Sequence, residues 1–177
     1  METTKWAIDP THSEVLFKVK HLLISNVSGQ FKSFNATVET EGDDLTTAKV
    51  HFTADLSSIS TNNEQRDAHL KAADFFDAEN HPQLIFEGEK LEKINEENYK
   101  AHGILTIKGT AKPIVLHVQF GGITQDPWGN TRTGFSISGK VNRKEYGISV
   151  EIGNMLGEEI AINAEAQFVK QAELELA

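Results

Sequence analysis

The sequence predicts an all-β protein of about eight strands with a single short helix, on the basis of three observations. Apolar residues alternate with polar ones along most of the chain, which is the pattern of strands that bury one face. Turn-rich stretches such as EGDD, NEEN, QDPWGN and NMLGEE separate the alternating segments. Only TNNEQRDAHLKAADFFDAENHP, residues 61–82, shows helical spacing instead.

The alternating segments define the faces that we expect to point inward. Each places apolar or small residues at every second position, with polar or charged residues between them. In chain order these positions are Val15, Phe17 and Val19; Phe34, Ala36 and Val38; Ala48, Val50, Phe52, Ala54 and Leu56; Leu84, Phe86 and Gly88; Tyr99, Ala101, Gly103, Leu105 and Ile107; Ile114, Leu116, Val118 and Phe120; Phe135, Ile137, Gly139 and Val141; and Ile160, Ile162, Ala164, Ala166 and Phe168.

Two architectures can bury these faces. Because one helix cannot cover a second apolar sheet face, the strands must pack their apolar faces against one another. A closed antiparallel barrel and a two-sheet sandwich both meet this requirement, and the barrel also leaves no strand edge exposed. The residues alone leave both architectures open.

The single predicted helix is expected to act as a lid. Thr61 and Glu64 have the spacing of a capping box, which would start the helix. Beyond them, one apolar stripe is formed by Ala68, Ala72, Phe75 and Phe76. We therefore expect the helix to lie over an apolar opening, with the two phenylalanines turned inward.

The composition bounds the class of protein and its partners. The chain of 177 residues fits one domain, 1–177, and its formal charge of -9 predicts repulsion from nucleic acid and from anionic membranes. It has no cysteine and no apolar run long enough for a signal peptide or a membrane span. We expect a cytoplasmic protein from the sequence as given, or a periplasmic one if a leader was removed.

No local motif supports catalysis or metal binding. Asp67 and His69 are two residues apart, so on a helix they point to nearly opposite sides and cannot form a dyad. The seven histidines lack the spacings of metal sites, and no glycine-rich phosphate loop is present. We therefore predict no metal, no cofactor and no catalytic residue. The alternative is a hydrolase or isomerase of a small apolar substrate, with His21, His69 or His102 as general base.

Several polar residues are interpreted as structural. Arg143 follows a strand and could close one end of the barrel by pairing with an acid such as Asp67. Together with Arg66, these two residues form a predicted structural polar cluster. His21 falls on the apolar face of the first strand, which favours a hydrogen-bonded core histidine.

The inward faces also contain many alanines and glycines. Small inward residues in an eight-stranded barrel can leave a cavity for one ligand or can alternate with large ones in a tapering solid core. The aromatic lid and the lack of charge on these faces favour a cavity for a long apolar ligand, and a solid-core interaction module remains the third possibility. The predicted ligand-binding residues are Phe17, Val19, Phe34, Val50, Phe52, Phe75, Phe76, Phe86, Leu105, Ile107, Leu116, Val118, Phe135 and Ile137.

The chain also resembles a known family. WAIDPTHS, RDAHL followed by DFFD, and NRKEYGI occur in the order and spacing of the YceI-like bacterial lipid-binding proteins, and the likeness covers essentially the whole sequence. The resemblance implies an eight-stranded antiparallel, lipocalin-like barrel that holds a polyisoprenoid, such as a quinone tail or a polyprenyl compound, for storage or transport. Fatty-acid derivatives are an alternative ligand. It implies no catalytic residues and a possible homodimer.

Overall fold

The computed structural model describes residues 2–22, 24–148 and 155–171, which form a closed eight-stranded antiparallel barrel with one short helix. The strands are β1 (Thr3–Ile8), β2 (Glu14–His21), β3 (Ser25–Phe31), β4 (Phe34–Glu41), β5 (Asp44–Asp55), β6 (Ile59–Ser60), β7 (Gln83–Lys93), β8 (Asn98–Ile107), β9 (Thr110–Gln125), β10 (Thr131–Asn142) and β11 (Leu156–Lys170). The helix is α1 (Glu64–Leu70), and short 3-10 turns occupy Pro10–His12, Leu56–Ser58 and Arg143–Tyr146.

The barrel wall has eight strand positions, which we call staves. Each of the first three staves consists of two strands separated by a bend. β1 and β2 form one stave, β3 and β4 the second, and β5 and β6 the third, each interrupted by a short corner. β7 to β11 follow in order as the other staves, and each pairs with its neighbour in the chain. β11 closes the barrel because it pairs with β10 on one side and with both β1 and β2 on the other.

The two ends of the barrel differ. We call one end the lid end: it carries the turn between β2 and β3, helix α1 and the Arg143–Tyr146 turn. The opposite, closed end carries the turns after β4, β7 and β9. Among the described residues no ladder joins β6 to β7, and residues 61–82 cover that gap.

The structure confirms the predicted barrel and rules out the sandwich. Each of the predicted alternating segments is a strand or part of one, and the positions expected inside are buried or half-buried. The sequence prediction missed β1, β3 and the two-residue β6. β3 carries serine, asparagine, glycine and glutamine, residues that are uncommon in strands.

The predicted helix was too long and its cap was wrong. Asn63, not Thr61, is the N-cap, and its side-chain oxygen accepts a hydrogen bond of 3.0 Å from the backbone N–H of Arg66. The helix ends at Leu70, whose carbonyl accepts from the N–H of Phe76 in a turn outside the helix. Ala68 is exposed, so the helix does not bury the predicted stripe.

The closed end is filled by aromatic side chains. Phe135 lies between Phe120 and Phe168, with ring centroids 5.7 and 5.9 Å away, and Tyr99 meets Phe120 edge-on at 6.4 Å. Trp6 is buried beside them and its indole N–H donates to the hydroxyl of Thr40. None of the described helices is long and apolar enough to cross a membrane.

Candidate functional site

An apolar cavity lies inside the barrel between the lid and the aromatic residues of the closed end. Its free volume is about 150 Å³, and every stave contributes to its wall. Apart from Glu14 and Glu165, its lining residues are apolar. These two glutamates are exposed and lie opposite each other on β2 and β11.

Nine of the fourteen predicted ligand-binding residues line the cavity. They are Phe17, Val50, Phe52, Phe86, Leu105, Leu116, Val118, Phe135 and Ile137. The other five, Val19, Phe34, Phe75, Phe76 and Ile107, do not reach it. Phe31 does line it, and sequence reasoning missed this residue because β3 was not predicted.

One lid phenylalanine, Phe76, meets the cavity wall through Phe31. Phe76 is only 8% exposed and meets the ring of Phe31 edge-on, with centroids 6.4 Å apart. Phe31 in turn stacks on Phe17 at 5.5 Å, and both rings line the cavity. Phe75 is buried against the ring of His69 at 4.8 Å. The expectation of an aromatic lid with both phenylalanines turned inward therefore matches their burial, although turns and not a helix position them.

Alanines, and not glycines, create the free space. A methyl group at Gly103 would lie 2.3 Å from the carbonyl oxygen of Glu87 and 2.8 Å from the ring of Phe86. At Gly139 a methyl group would lie 2.4 Å from the side chain of Leu116. Large neighbours thus fill the room over these glycines, as in a tapering solid core. The small residues that line the cavity are Ala36, Ala48, Ala101, Ala164 and Ala166.

Thr61 joins two members of the predicted polar cluster. The carboxylate of Asp67 accepts hydrogen bonds from the backbone N–H and the hydroxyl of Thr61, at 2.8 and 2.6 Å. The guanidinium of Arg66 donates to the same hydroxyl and to the Thr61 carbonyl, at 2.8 and 2.7 Å. These four bonds attach the first turn of α1 to the end of β6.

Arg143 forms a separate group. Its side chain is completely buried and donates to the backbone carbonyls of Ile148, Leu156 and Gly157, at 3.1, 2.8 and 2.8 Å. Burial lowers the pKa of this guanidinium, and the nearby Glu158 opposes that shift. The described contacts do not include the suggested Arg143–Asp67 pair. The physical reason is that the guanidinium binds backbone carbonyls instead: that of Ile148 and those of the first two residues of β11, where the pairing of β11 with β2 is irregular.

No histidine lines the cavity. His69 and Asp74 form an exposed pair at 3.0 Å, and His102 pairs with Glu92 at 2.8 Å on the barrel exterior. His21 is exposed, so the prediction of a core histidine was wrong. It is the last residue of β2, where the strand leaves the core for the turn. The pocket-histidine enzyme therefore lacks its general base, and the described residues contain no metal-binding group of three or more ligands.

Comparison with known proteins identifies the family. The model of the YceI-like domain matches residues 6–168. The chain belongs to the YceI-like family. A UPF0312 protein of Staphylococcus epidermidis is 40% identical to this YceI-like chain over 171 residues, which cover 93% of the chain and 97% of the relative.

Solved structures agree with this YceI-like fold. A YCEI protein of Campylobacter jejuni is 35% identical and superposes with a TM-score of 0.79, covering 86% of this chain and 90% of its own. A polyisoprenoid binding domain from Saccharophagus degradans, implicated in plant cell wall breakdown, superposes with a TM-score of 0.71 over 94% of this chain and 98% of its own. At 12% identity, the second likeness shows the fold alone.

The WAIDPTHS motif of this YceI-like protein forms a charged clamp at the corner between β1 and β2. Arg132 of β10 donates to the carboxylates of Asp9 and Asp126, at 2.8 and 2.7 Å, and so ties the corner to the turn after β9. His12 bonds the same Asp9 carboxylate at 2.9 Å. These hydrogen bonds, Arg132 first, lower the pKa of Asp9 far below its usual range and hold that of Asp126 at about 2. Spacing along the chain could not reveal this clamp because its members are far apart in sequence.

The clamp predicts that the YceI-like barrel loses stability in acid. The pKa values of both carboxyl groups are depressed in the folded state. The stability that these two groups contribute is therefore complete above the ordinary aspartate pKa of about 4, and it is lost as the pH falls towards 2. We expect the urea midpoint of the protein to fall over this range. In Arg132→Gln the fall should be shallower, since the carboxyl groups then titrate nearer their ordinary pKa. A pH dependence unchanged by Arg132→Gln would contradict this role.

Proposed function

We propose that this protein binds a long apolar lipid inside the barrel, most suitably a polyisoprenoid, and stores or carries it. The observation that supports the proposal is the cavity, whose lining is apolar apart from Glu14 and Glu165 and whose Phe31 ring packs against the buried Phe76 of the lid. Such a wall binds hydrocarbon by removing it from water, at about 0.8 kcal/mol per methylene. The polyisoprenoid binding domain that shares this fold adds support for an isoprenoid chain over a fatty-acid derivative.

The size of the cavity defines how a long chain would bind. An apolar cavity of about 150 Å³ holds a ligand the size of benzene. A longer chain therefore needs more room, and the rings of Phe17 and Phe31 are placed to provide it because they separate the cavity from the lid. Binding then includes rotation of these rings and displacement of Phe76.

Mass spectrometry of the protein purified from its native host tests the proposal. Under native conditions we expect a complex with one apolar small molecule, which denaturation releases as an isoprenoid species. A protein whose mass stays that of the chain alone, even after incubation with quinones and polyprenols, would refute lipid binding. The same spectra also report whether the protein forms the possible homodimer that the sequence resemblance implies.

The lid predicts the rate of ligand release. Phe76→Ala removes the ring that covers Phe31, and we expect a fluorescent isoprenoid analogue to dissociate at least about tenfold faster, because the loss of a buried aromatic contact costs about 2 kcal/mol or more. Stopped-flow displacement with excess unlabelled lipid measures this rate.

Phe120→Ala is the matched control for the lid variant. It removes an aromatic side chain at the closed end, where the rings of Tyr99 and Phe135 are its neighbours. This control should lose stability without faster release. Equal release rates in the two variants would show that the ligand does not leave through the lid end.

A further inference from the structure

A second, much smaller cavity lies at the closed end of the barrel, beyond the first one. Its volume is about 10 Å³, at the limit of what one water molecule needs. Its lining includes Asp43 in the turn after β4 and Ile123 near the end of β9, and both residues are exposed. The second cavity therefore lies between the main cavity and the surface of the closed end.

The two cavities share part of their walls. Val38, Leu45, Phe135 and Phe168 line both of them. A side chain that borders both spaces stands between them, so these four buried residues form a partition. The rings of Phe135 and Phe168 are its largest parts and meet edge-on, with centroids 5.9 Å apart. We call Val38, Leu45, Phe135 and Phe168 the floor of the main cavity.

Neighbouring groups hold the floor in place. The ring of Phe135 also packs against Phe120 at 5.7 Å, and Phe120 meets Tyr99 edge-on at 6.4 Å. The backbone of β10 pairs with β11 from Arg132 to Asn142, which includes Phe135. At the opposite end of the cavity, by contrast, Phe31 packs on a lid segment that is held by turns. A ligand that needs more room therefore gains it more easily by moving the lid than by moving the floor.

A β-bulge shapes the barrel at the level of the floor. Phe135 pairs with Phe120 and Thr133 pairs with Ile123, so between these pairs β9 has one residue more than β10. Gly122 takes up the irregularity with a φ of 100°. Because of the extra residue, Phe120 packs against the floor while Ile123, three positions further along, lines the second cavity. The bulge thus adds an apolar side chain on the far side of the floor.

The buried polar groups around the second cavity are already engaged within the protein. The hydroxyl of Thr40 donates to the carbonyl of Gly42 at 2.6 Å, and that of Thr133 donates to the carbonyl of Gly122 at 2.9 Å. The indole N–H of Trp6 donates to Thr40. A polar head group would lose its water here without gaining a donor. The hydrocarbon end of a ligand, and not its head group, therefore fits against the floor.

We propose that the floor sets the longest hydrocarbon chain that the barrel accepts. The chain lies end-on, with its terminus on the ring of Phe135 and its head group towards the lid. Each further isoprene unit adds affinity only while it is buried, so affinity rises with chain length until the barrel is filled down to the floor, and then stays constant. The inference rests on the proposed function, which supplies the apolar ligand, and it adds a limit on the length of that ligand and its orientation.

Prenols of increasing length test the floor. Geraniol, farnesol, geranylgeraniol and longer linear homologues differ by single isoprene units and share one head group. Displacement of a fluorescent isoprenoid analogue measures the affinity of each. Phe135→Ala removes the ring between the two cavities, so affinity should level off about one isoprene unit later than in wild type. The first prenol that is too long for wild type should bind this variant at least about tenfold more tightly.

Ala166→Leu makes the opposite change. Ala166 pairs with Phe135 across β10 and β11, and it lines the main cavity. Leucine at this position raises the floor, so affinity should level off about one isoprene unit earlier than in wild type. This variant fills free space and does not create any, which keeps the floor testable if Phe135→Ala fails to fold.

Phe120→Ala is the control for both variants. It removes a ring that packs on Phe135 but lines neither cavity, so it should lower the urea midpoint and leave the length at which affinity levels off unchanged. If prenols bind and level off at one length in wild type, Phe135→Ala and Ala166→Leu, the floor is refuted and lipid binding stands. An equal shift in Phe120→Ala also refutes the floor, since looser packing would then set the length. If neither the analogue nor any prenol binds wild type, lipid binding itself fails, and the floor with it.

Discussion

Replacing Arg143 by methionine is expected to cost the largest share of stability of any single change at the lid end. The guanidinium donates to three backbone carbonyls, all in a region where the side chain is completely buried. Methionine fills a similar volume but donates no hydrogen bond, so these carbonyls lose their partner. Because each buried unsatisfied group costs about 1–3 kcal/mol, we expect the free energy of unfolding in urea to fall by about 3–5 kcal/mol.

An exposed arginine provides the control for this stability prediction. Arg66→Met also removes two hydrogen-bonding groups, but its side chain is solvated and water can replace the guanidinium at Thr61. We expect this change to cost about 1 kcal/mol or less. A loss of stability in Arg143→Met no greater than in Arg66→Met would show that the buried guanidinium is not what holds the turn after β10 to β11.

Filling the cavity is expected to abolish ligand binding without unfolding the barrel. Ala164 of β11 lines the cavity and lies between Ile137 and Val15 on the neighbouring strands. Leucine at this position adds three carbon atoms where the ligand would lie. At about 0.8 kcal/mol for each displaced methylene, the affinity for an isoprenoid analogue should fall about fifty-fold. The urea midpoint should stay the same or rise, since the new side chain occupies existing free space.

The same substitution on the outer wall tests whether the effect is specific. Ala111→Leu adds equal volume to an exposed position of β9 and should leave both affinity and stability unchanged. Fluorescence titration with the analogue and urea unfolding provide the two measurements. If Ala164→Leu destabilises the protein and leaves affinity intact, the interior is a solid core and the ligand binds elsewhere.

The strands could be predicted from the sequence because burial of one face imposes a period of two. Tyr99, Ala101 and Leu105 illustrate this, since all three are buried as their alternation requires. β3 escaped prediction for a physical reason. Its Gly29 breaks the apolar pattern, yet the ring of Phe17 fills the space above that glycine and the backbone ladder to β2 holds the strand.

The lid and the polar clusters could be predicted only in outline. Helical spacing placed Phe75 and Phe76 correctly inside, but a helix was the wrong means, since Asp77 adopts a left-handed backbone and the chain turns repeatedly there. The partners of Arg143 are backbone carbonyls, which every residue possesses and no sequence pattern reveals. Such contacts depend on the tertiary path of the chain.

The wall of the barrel is a closed ring of backbone hydrogen bonds, because β5 pairs with β7 and β11 pairs with both β1 and β2. Beyond the last β5–β7 pair, Asp55 with Gln83, β6 has no ladder to β7 among the described residues, and residues 61–82 lie there at the lid end. The circumference of the barrel is therefore fixed by its hydrogen bonds, whereas the rim at the lid end is held by side-chain packing and turn contacts. A guest that enters over this rim displaces lid contacts and leaves the hydrogen bonds of the wall intact.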